Sequence, residues 1–382
     1  MSVQRNEKEI VIWHEFDGPG DLSKNVLEEI CNDFSNKYGV SIKPEVMSLK
    51  EMVERIDSIY ITGEGPHMAF VPSDLSLLGK NALCSDVPGK LYKGIIPEKM
   101  LQTMNMNGRQ FGLPVLGGNH LIMYYNKDIL GKAPESWEEL EEISGELLSE
   151  GFIPASTDVN QSYWLLPILS ACGTWPVVDN DSEKLDYSKV KTAFSYIDYL
   201  MSKGVISSFN ASYEMLDKFH SGDIAAIVNG EWVYDFISGN LGEKLGVCAI
   251  PSIKGMNSTP VTSSIGLMFP NNSLESDLRD YLLEFASLMI SEECQIRWAN
   301  GVNRIPLVPS ALDKVEKTST YNRKVVLEQM KAGYPLVPGN KTANTWNVLE
   351  FGIDLYWNKR VELDEVIVQM EERAKNLNKK YN

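Results

Sequence analysis

The chain runs to 382 residues, too long for one ordinary hydrophobic core and suited to two domains of roughly 150–200 residues each. Hydrophobic residues at 43% and charged residues at 23% are proportions of a folded globular chain and exclude wholesale disorder. A formal net charge of −16 repels phosphate backbones and anionic lipid surfaces, so no nucleic-acid partner is expected, and its plainest effect is solubility.

The polar N-terminus lacks an apolar signal core, so the chain is either cytoplasmic or has lost a leader. No stretch approaches the roughly 20 apolar residues of a membrane-spanning helix. Ile10–Trp13 is a short apolar run of the kind a doubly buried strand shows, and the loop around Gly18, Pro19 and Gly20 follows it. Val26, Leu27, Ile30 and Phe34 fall at helical spacing, with Gly39 as the stop signal. Val40–Val46 reads as a strand, Met52, Val53, Ile56, Ile59 and Tyr60 as a helix face, and Met68–Val71 as a buried strand. This β-α-β-α-β order predicts an α/β lobe on a mostly parallel sheet. Ser136 and Glu139 form a capping box ahead of Leu140, Ile143 and Leu147. Val190, Phe194, Ile197 and Met201 make another amphipathic face, ended by Gly204. Ile224–Val228 and Leu245–Ile250 read as strands. Leu363, Val366, Ile367, Met370, Ala374 and Leu377 mark a terminal helix docked on a core. No linker of Pro, Gly and Ser divides the chain, so the two lobes are expected to interleave.

Several chemistries are excluded by what is missing. There is no phosphate-binding G-x-x-x-x-G-K-[ST] loop, no dinucleotide fingerprint at Gly117-Gly118, no H-E-x-x-H and no G-x-S-x-G. Cys31, Cys84, Cys172, Cys248 and Cys294 lie far apart without a C-x-x-C, which suits neither a zinc site nor a disulfide scaffold. They read as small buried hydrophobes. The histidines are scattered and read as structural or exposed, with His14 and His120 carrying some weight as ligand contacts beside strand ends. No metal and no cofactor is expected. A pair drawn from Glu15, Asp17, Asp74 and Glu231 is the one catalytic option left open, as an acid/base couple for glycoside cleavage.

Ordered segments carry a family likeness. Asn107-Gly108-Arg109-Gln110-Phe111-Gly112-Leu113-Pro114 is followed by Leu121-Ile122-Met123-Tyr124-Tyr125-Asn126-Lys127-Asp128-Ile129-Leu130 and then by Pro134-Glu135-Ser136-Trp137-Glu138-Glu139-Leu140. Phe219-His220-Ser221-Gly222-Asp223-Ile224, Val228-Asn229-Gly230-Glu231-Trp232 and Arg304-Ile305-Pro306 come in the same order. The set resembles family 1 extracellular solute-binding proteins, the group that contains maltose-binding protein, over nearly the whole chain. The resemblance implies the type II periplasmic-binding fold: two α/β lobes joined by a hinge, with the ligand in the cleft between them. It sets the lobes at 1–117 with 264–312 and at 118–263 with 313–382. The implied activity is capture of a carbohydrate for a membrane ABC permease, without catalysis, by a monomer in the periplasm or lipid-anchored at the cell surface.

Sugars offer C–H faces to aromatic rings and hydroxyls to planar polar groups. The resemblance puts Trp232, Tyr163 and Trp346 as stacking platforms, with Tyr334 beside the last. It puts Gln161, Asp74, Glu15, Asp17, Asn119 and His120 as polar contacts. Trp13 and Trp137 are assigned to the core. The chain departs from maltose-binding protein at Val71-Pro72-Ser73, at Leu75 and at Asn119-His120, so the subsite pattern is altered and maltodextrin specificity does not carry over. Three other readings stay open. A polyamine would want the acidic set around aromatic walls, and ferric iron would want Tyr124-Tyr125, although neighbours on a strand face opposite ways. An enzyme on the same fold would need a nucleophile, for which Cys172 is the one cysteine to test. A cytoplasmic sensor is the last.

Overall fold

The computed structural model describes residues 8–16, 22–73, 84–175 and 185–379. Its main elements in chain order begin with β1 (Glu9–His14), α1 (Ser23–Tyr38), β2 (Ser41–Val46), α2 (Leu49–Thr62), β3 (Met68–Pro72) and β4 (Gly112–Gly118). There follow β5 (Leu121–Asn126), α3 (Trp137–Ser149), β6 (Ile153–Thr157), α4 (Ser162–Ala171), α5 (Tyr187–Ser202) and β7 (Ile206–Ser208). Next come α6 (Glu214–Ser221), β8 (Ile224–Gly230), α7 (Tyr234–Leu241), β9 (Leu245–Cys248) and β10 (Val261–Met268). The chain ends with α8 (Arg279–Met289), α9 (Glu292–Val302), β11 (Ile305–Pro306), α10 (Pro309–Thr318), α11 (Tyr321–Ala332), α12 (Asn340–Ile353) and α13 (Leu363–Lys379).

Two compact units emerge from these elements. The first takes residues 1–119, 263–318 and 335–338, and the second takes 120–262, 319–334 and 339–382. The sequence division cut α10 at residue 312. The helix runs unbroken to Thr318, and its Ala311 lies in the first unit's core, so the helix stays there as one rigid piece.

In the first unit the strands order as β11-β4-β10-β3-β1-β2. β1 pairs in parallel with β2 and β3, as the β-α-β-α-β reading requires. β10 then runs antiparallel to both β3 and β4, which makes the sheet mixed rather than mostly parallel. Ile10, Ile12, Phe70, Leu267 and Trp298 belong to its core, along with the α1 face of Val26, Leu27, Ile30 and Phe34. Gly39 ends α1 at φ 66°, a left-handed cap that suits glycine because a side chain there meets its own backbone.

In the second unit the order is β9-β5-β8-β6-β7. β8 is central, parallel to β6 and antiparallel to β5. Its run Ile224-Ala225-Ala226-Ile227-Val228-Asn229-Gly230 is buried throughout, as a strand covered on both faces must be. Ser136 caps α3 by accepting from the Glu139 amide at 3.1 Å, while the Glu139 carboxylate reaches back to the Glu135 amide. Leu140 and Leu147 point inward, but Ile143 is 38% exposed, so the buried stripe of α3 is narrower than the spacing predicts. Val366 and Met370 anchor α13. Trp13 and Trp137 are buried, at 7% and 1% exposure.

All five cysteines are free thiols. Cys31, Cys84 and Cys294 are buried, while Cys172 and Cys248 are only partly covered. Burial pushes the thiols of Cys31, Cys84, Cys248 and Cys294 up to about 12. Among the described residues no helix is long and apolar enough to cross a membrane.

Candidate functional site

The C-terminal end of β8 sets the site. Asn229 is buried, its side-chain amide donates to the Ala211 carbonyl at 2.8 Å, and its oxygen accepts from the Gly230 amide at 2.7 Å. Those bonds stop the strand and turn the chain into a single 3-10 turn, Glu231–Val233, that leads into α7. Trp232 projects from that turn. Its indole lies over Gly230 so closely that a Cβ on residue 230 would land inside the ring. Here glycine is required by space, since its φ of −74° suits any residue.

The start of α4 supplies two more rings. The preceding loop is organised by Asp158, whose carboxylate accepts from the Gln161 side chain at 2.8 Å and from the Asn160 and Ala211 amides at 3.2 Å each. Trp164 then donates its indole N–H to the Val228 carbonyl at 3.1 Å, which ties the helix start to β8. Tyr163 sits beside it, and Trp346 on α12 lies nearly parallel to Tyr163, with ring centroids 6.1 Å apart and 12° between planes. Trp232 is 6.3 Å from Tyr163 and 6.3 Å from Trp164, perpendicular to the latter. Trp164 is buried, whereas Tyr163, Trp232 and Trp346 are half-buried and keep ring surface in reach of solvent.

Three of the platforms read from the sequence, Tyr163, Trp232 and Trp346, therefore come together in the second unit. Gln161 is exposed at the edge of this cluster, with its amide engaged by Asp158. Tyr334 stands apart from these rings: it is 50% exposed and packs on Trp175, centroid to centroid 4.4 Å. His120 is fully buried, with its Nε2 3.1 Å from the Val326 carbonyl. Asn119 closes β4 in the first unit at φ 45° and donates to the Ser263 hydroxyl at 2.7 Å. Glu15 is half-buried just after β1. Asp17 and Asp74 lie outside the described residues. His14 is buried and accepts from the Phe16 amide through Nδ1.

Two charged groups near the Trp232 turn are buried. Glu231 and Arg323 are both about one-twentieth exposed, at 4% each. Burial holds the Arg323 guanidinium below its ordinary value, and Glu231, Tyr234 and Asp235 act in the opposite direction. Tyr124 donates its hydroxyl to the Gly230 carbonyl at 2.9 Å, and burial pushes that phenol well above the usual range. Cys172 is half-buried, and burial raises its thiol, which works against a thiolate nucleophile. Among the described residues there is no cluster of three or more His, Cys, Asp or Glu able to hold a metal ion.

A family profile for bacterial extracellular solute-binding proteins matches residues 29–325, well over half the chain. The chain belongs to this family. The maltodextrin-binding protein of Bacillus subtilis (strain 168) is 23% identical over 350 residues, covering 86% of this chain and 81% of the relative. A maltooligosaccharide ABC transporter solute-binding lipoprotein of Streptococcus pneumoniae (strain R6) is 22% identical over 343 residues, covering 85% and 79%. The same protein from the TIGR4 strain matches equally well. Sequence reasoning missed Trp164, Trp175, Asp158 and Arg323. Trp164 and Trp175 were visible as neighbours of a chosen ring and as a Thr-Trp-Pro run, but neither spacing says which rings meet.

Proposed function

We propose that this chain is the carbohydrate-binding component of an ABC transporter, taking an oligosaccharide on the aromatic face of its second unit and delivering it to a membrane permease. The observation that carries the reading is the convergence of Tyr163, Trp232 and Trp346 as half-buried rings fixed from behind by Trp164, Asn229 and Gly230. Half-buried indole and phenol faces stack on the C–H faces of sugars, and the exposed Gln161 at their edge suits hydroxyls. The names of the relatives point the same way, towards maltodextrin and maltooligosaccharide ligands. A site that must later release its guest fits an affinity of about −8 kcal/mol, roughly micromolar. Asp74, Asp17, Glu15 and Asn119 remain proposed as polar contacts, as the family resemblance implies. Tyr334, with Trp175, is proposed as a further apolar contact. His120 is proposed as support for the Trp232 turn rather than as a ligand contact, because its ring is wholly covered. The chain acts outside the cytoplasmic membrane, as a monomer, and turns nothing over.

A neutral guest is favoured over a polyamine by Glu231. A cationic ligand calls for accessible carboxylates beside the rings, and the carboxylate next to Trp232 is buried, with the charge of the buried Arg323 acting on the same region. Calorimetric titration with maltotriose, maltohexaose, glucose and spermidine tests the reading. Saturable heat with a maltooligosaccharide and none with spermidine is expected, and the opposite pattern would overturn it. A reducing-end assay after prolonged incubation is expected to show no new ends.

A further inference from the structure

Behind the Trp232 turn lies a buried charged assembly that no ligand contact explains. Glu231 opens the turn, and its amide donates to the His120 carbonyl at 2.9 Å. Arg323, in the first helical turn of α11, brings its guanidinium to 5.8 Å from the Tyr234 ring, three residues beyond Glu231. The next turn of the same helix offers its Val326 carbonyl to the His120 ring at 3.1 Å. α11 thus meets the support of the Trp232 turn twice, once by charge and once by hydrogen bond. A guanidinium and a carboxylate removed from water are each unfavourable alone and better tolerated where opposite charge is near. The close approach of the indole to Gly230 leaves little room for the turn to rotate without moving the ring.

We infer that Arg323 is a positioning residue for Trp232: from α11 its guanidinium, packed over the Tyr234 ring at the end of the turn, sets the angle at which the indole meets Tyr163 and Trp164, without touching the ligand itself. Burial holds the Arg323 guanidinium below its ordinary value, and Glu231, Tyr234 and Asp235 oppose that fall, which agrees with a guanidinium buried beside the turn. Only the affinity arm of the test rests on the carbohydrate reading, because the ring's position is read without any ligand.

The test compares the full chain with Arg323→Met and Arg323→Lys, each also made in a Trp232→Phe background. Subtracting the paired spectra isolates Trp232 fluorescence. Arg323→Met is expected to red-shift that difference emission and increase its quenching by acrylamide, while far-UV circular dichroism is unchanged. Maltotriose affinity is expected to fall about tenfold, the effect of a stacking group held loosely. Arg323→Lys keeps the charge but not the planar fork over Tyr234, so a smaller shift in the same direction is expected, and it stands in where Arg323→Met does not fold. A lowered melting point with an unshifted Trp232 spectrum would show a merely structural role and overturn the inference. If the parent chain takes no maltotriose, the carbohydrate reading fails, and the spectral comparison still decides the positioning role.

Discussion

Phe16, Phe70 and Trp298 meet in the first unit at 5.5–5.9 Å, and all three are nearly inaccessible. Tyr163, Trp232 and Trp346 meet in the second unit at 6.1–6.3 Å and remain half-exposed. Ring spacing therefore does not separate a core from a proposed binding face. What separates them is the backing. Trp298 lies in a core that also holds Leu267, Phe269 and Phe285, whereas Trp232 is backed by backbone at Gly230 and flanked by Trp164, whose indole is tied to the Val228 carbonyl. Rigid support on one side with open surface on the other is what a stacking site needs.

That comparison can be broken by mutation. Trp298→Ala is expected to have the largest effect, a loss of about 3–5 kcal/mol of stability in urea unfolding, because it empties a packed core. Sugar affinity per folded molecule should not change. Trp232→Ala is expected to do the reverse. Affinity should weaken by about 2–3 kcal/mol in calorimetry, as for a stacking anchor, with stability altered by less than about 1 kcal/mol. A Trp232→Ala chain that melts early and binds normally would place this ring with the core.

Smaller changes sharpen the picture. Tyr334→Ala removes one ring of the separate Trp175 pair, and a loss of about 0.5–1 kcal/mol in maltohexaose affinity is expected, a size suited to one exposed ring contact. The smallest effect concerns the first unit and pH. His67 accepts the Val11 amide through Nδ1 at 3.0 Å, so its ring must stay neutral there. Burial lowers its pKa below 6.5, against the opposing pull of Glu9 and Asp277. The neutral form is thus favoured by folding. Its stability contribution is complete above the unfolded value and is lost as pH falls below about 6.5. Melting temperature in the parent should drop further between pH 8 and pH 5 than in His67→Gln, by on the order of 1–2 °C.

Much of the architecture was legible because it rests on local physics. Gly39, Gly204 and the Ser136–Glu139 cap marked helix ends through backbone conformation and orphan amides, and each does so in the structure. The antiparallel course of β10 was not legible, since pairing direction depends on partners 145 or more residues away, such as β3 and β4. At the candidate site, family resemblance proposed Trp232, Tyr163 and Trp346, and their rings come together in the fold. Arg323 was not, because a single arginine on a helix looks solvated until the fold buries it. Tyr334 was grouped with Trp346 by nearness in sequence, yet the ring it meets is Trp175, brought in from beyond the end of α4.

The most direct test of the carbohydrate account is a calorimetric titration of the full chain with maltotriose, run beside Trp232→Ala. The account predicts a single saturable site near the micromolar range in the parent, weakened about thirtyfold to a hundred-and-fiftyfold in the variant. Equal affinity in both chains, or no heat from any maltooligosaccharide, would contradict it.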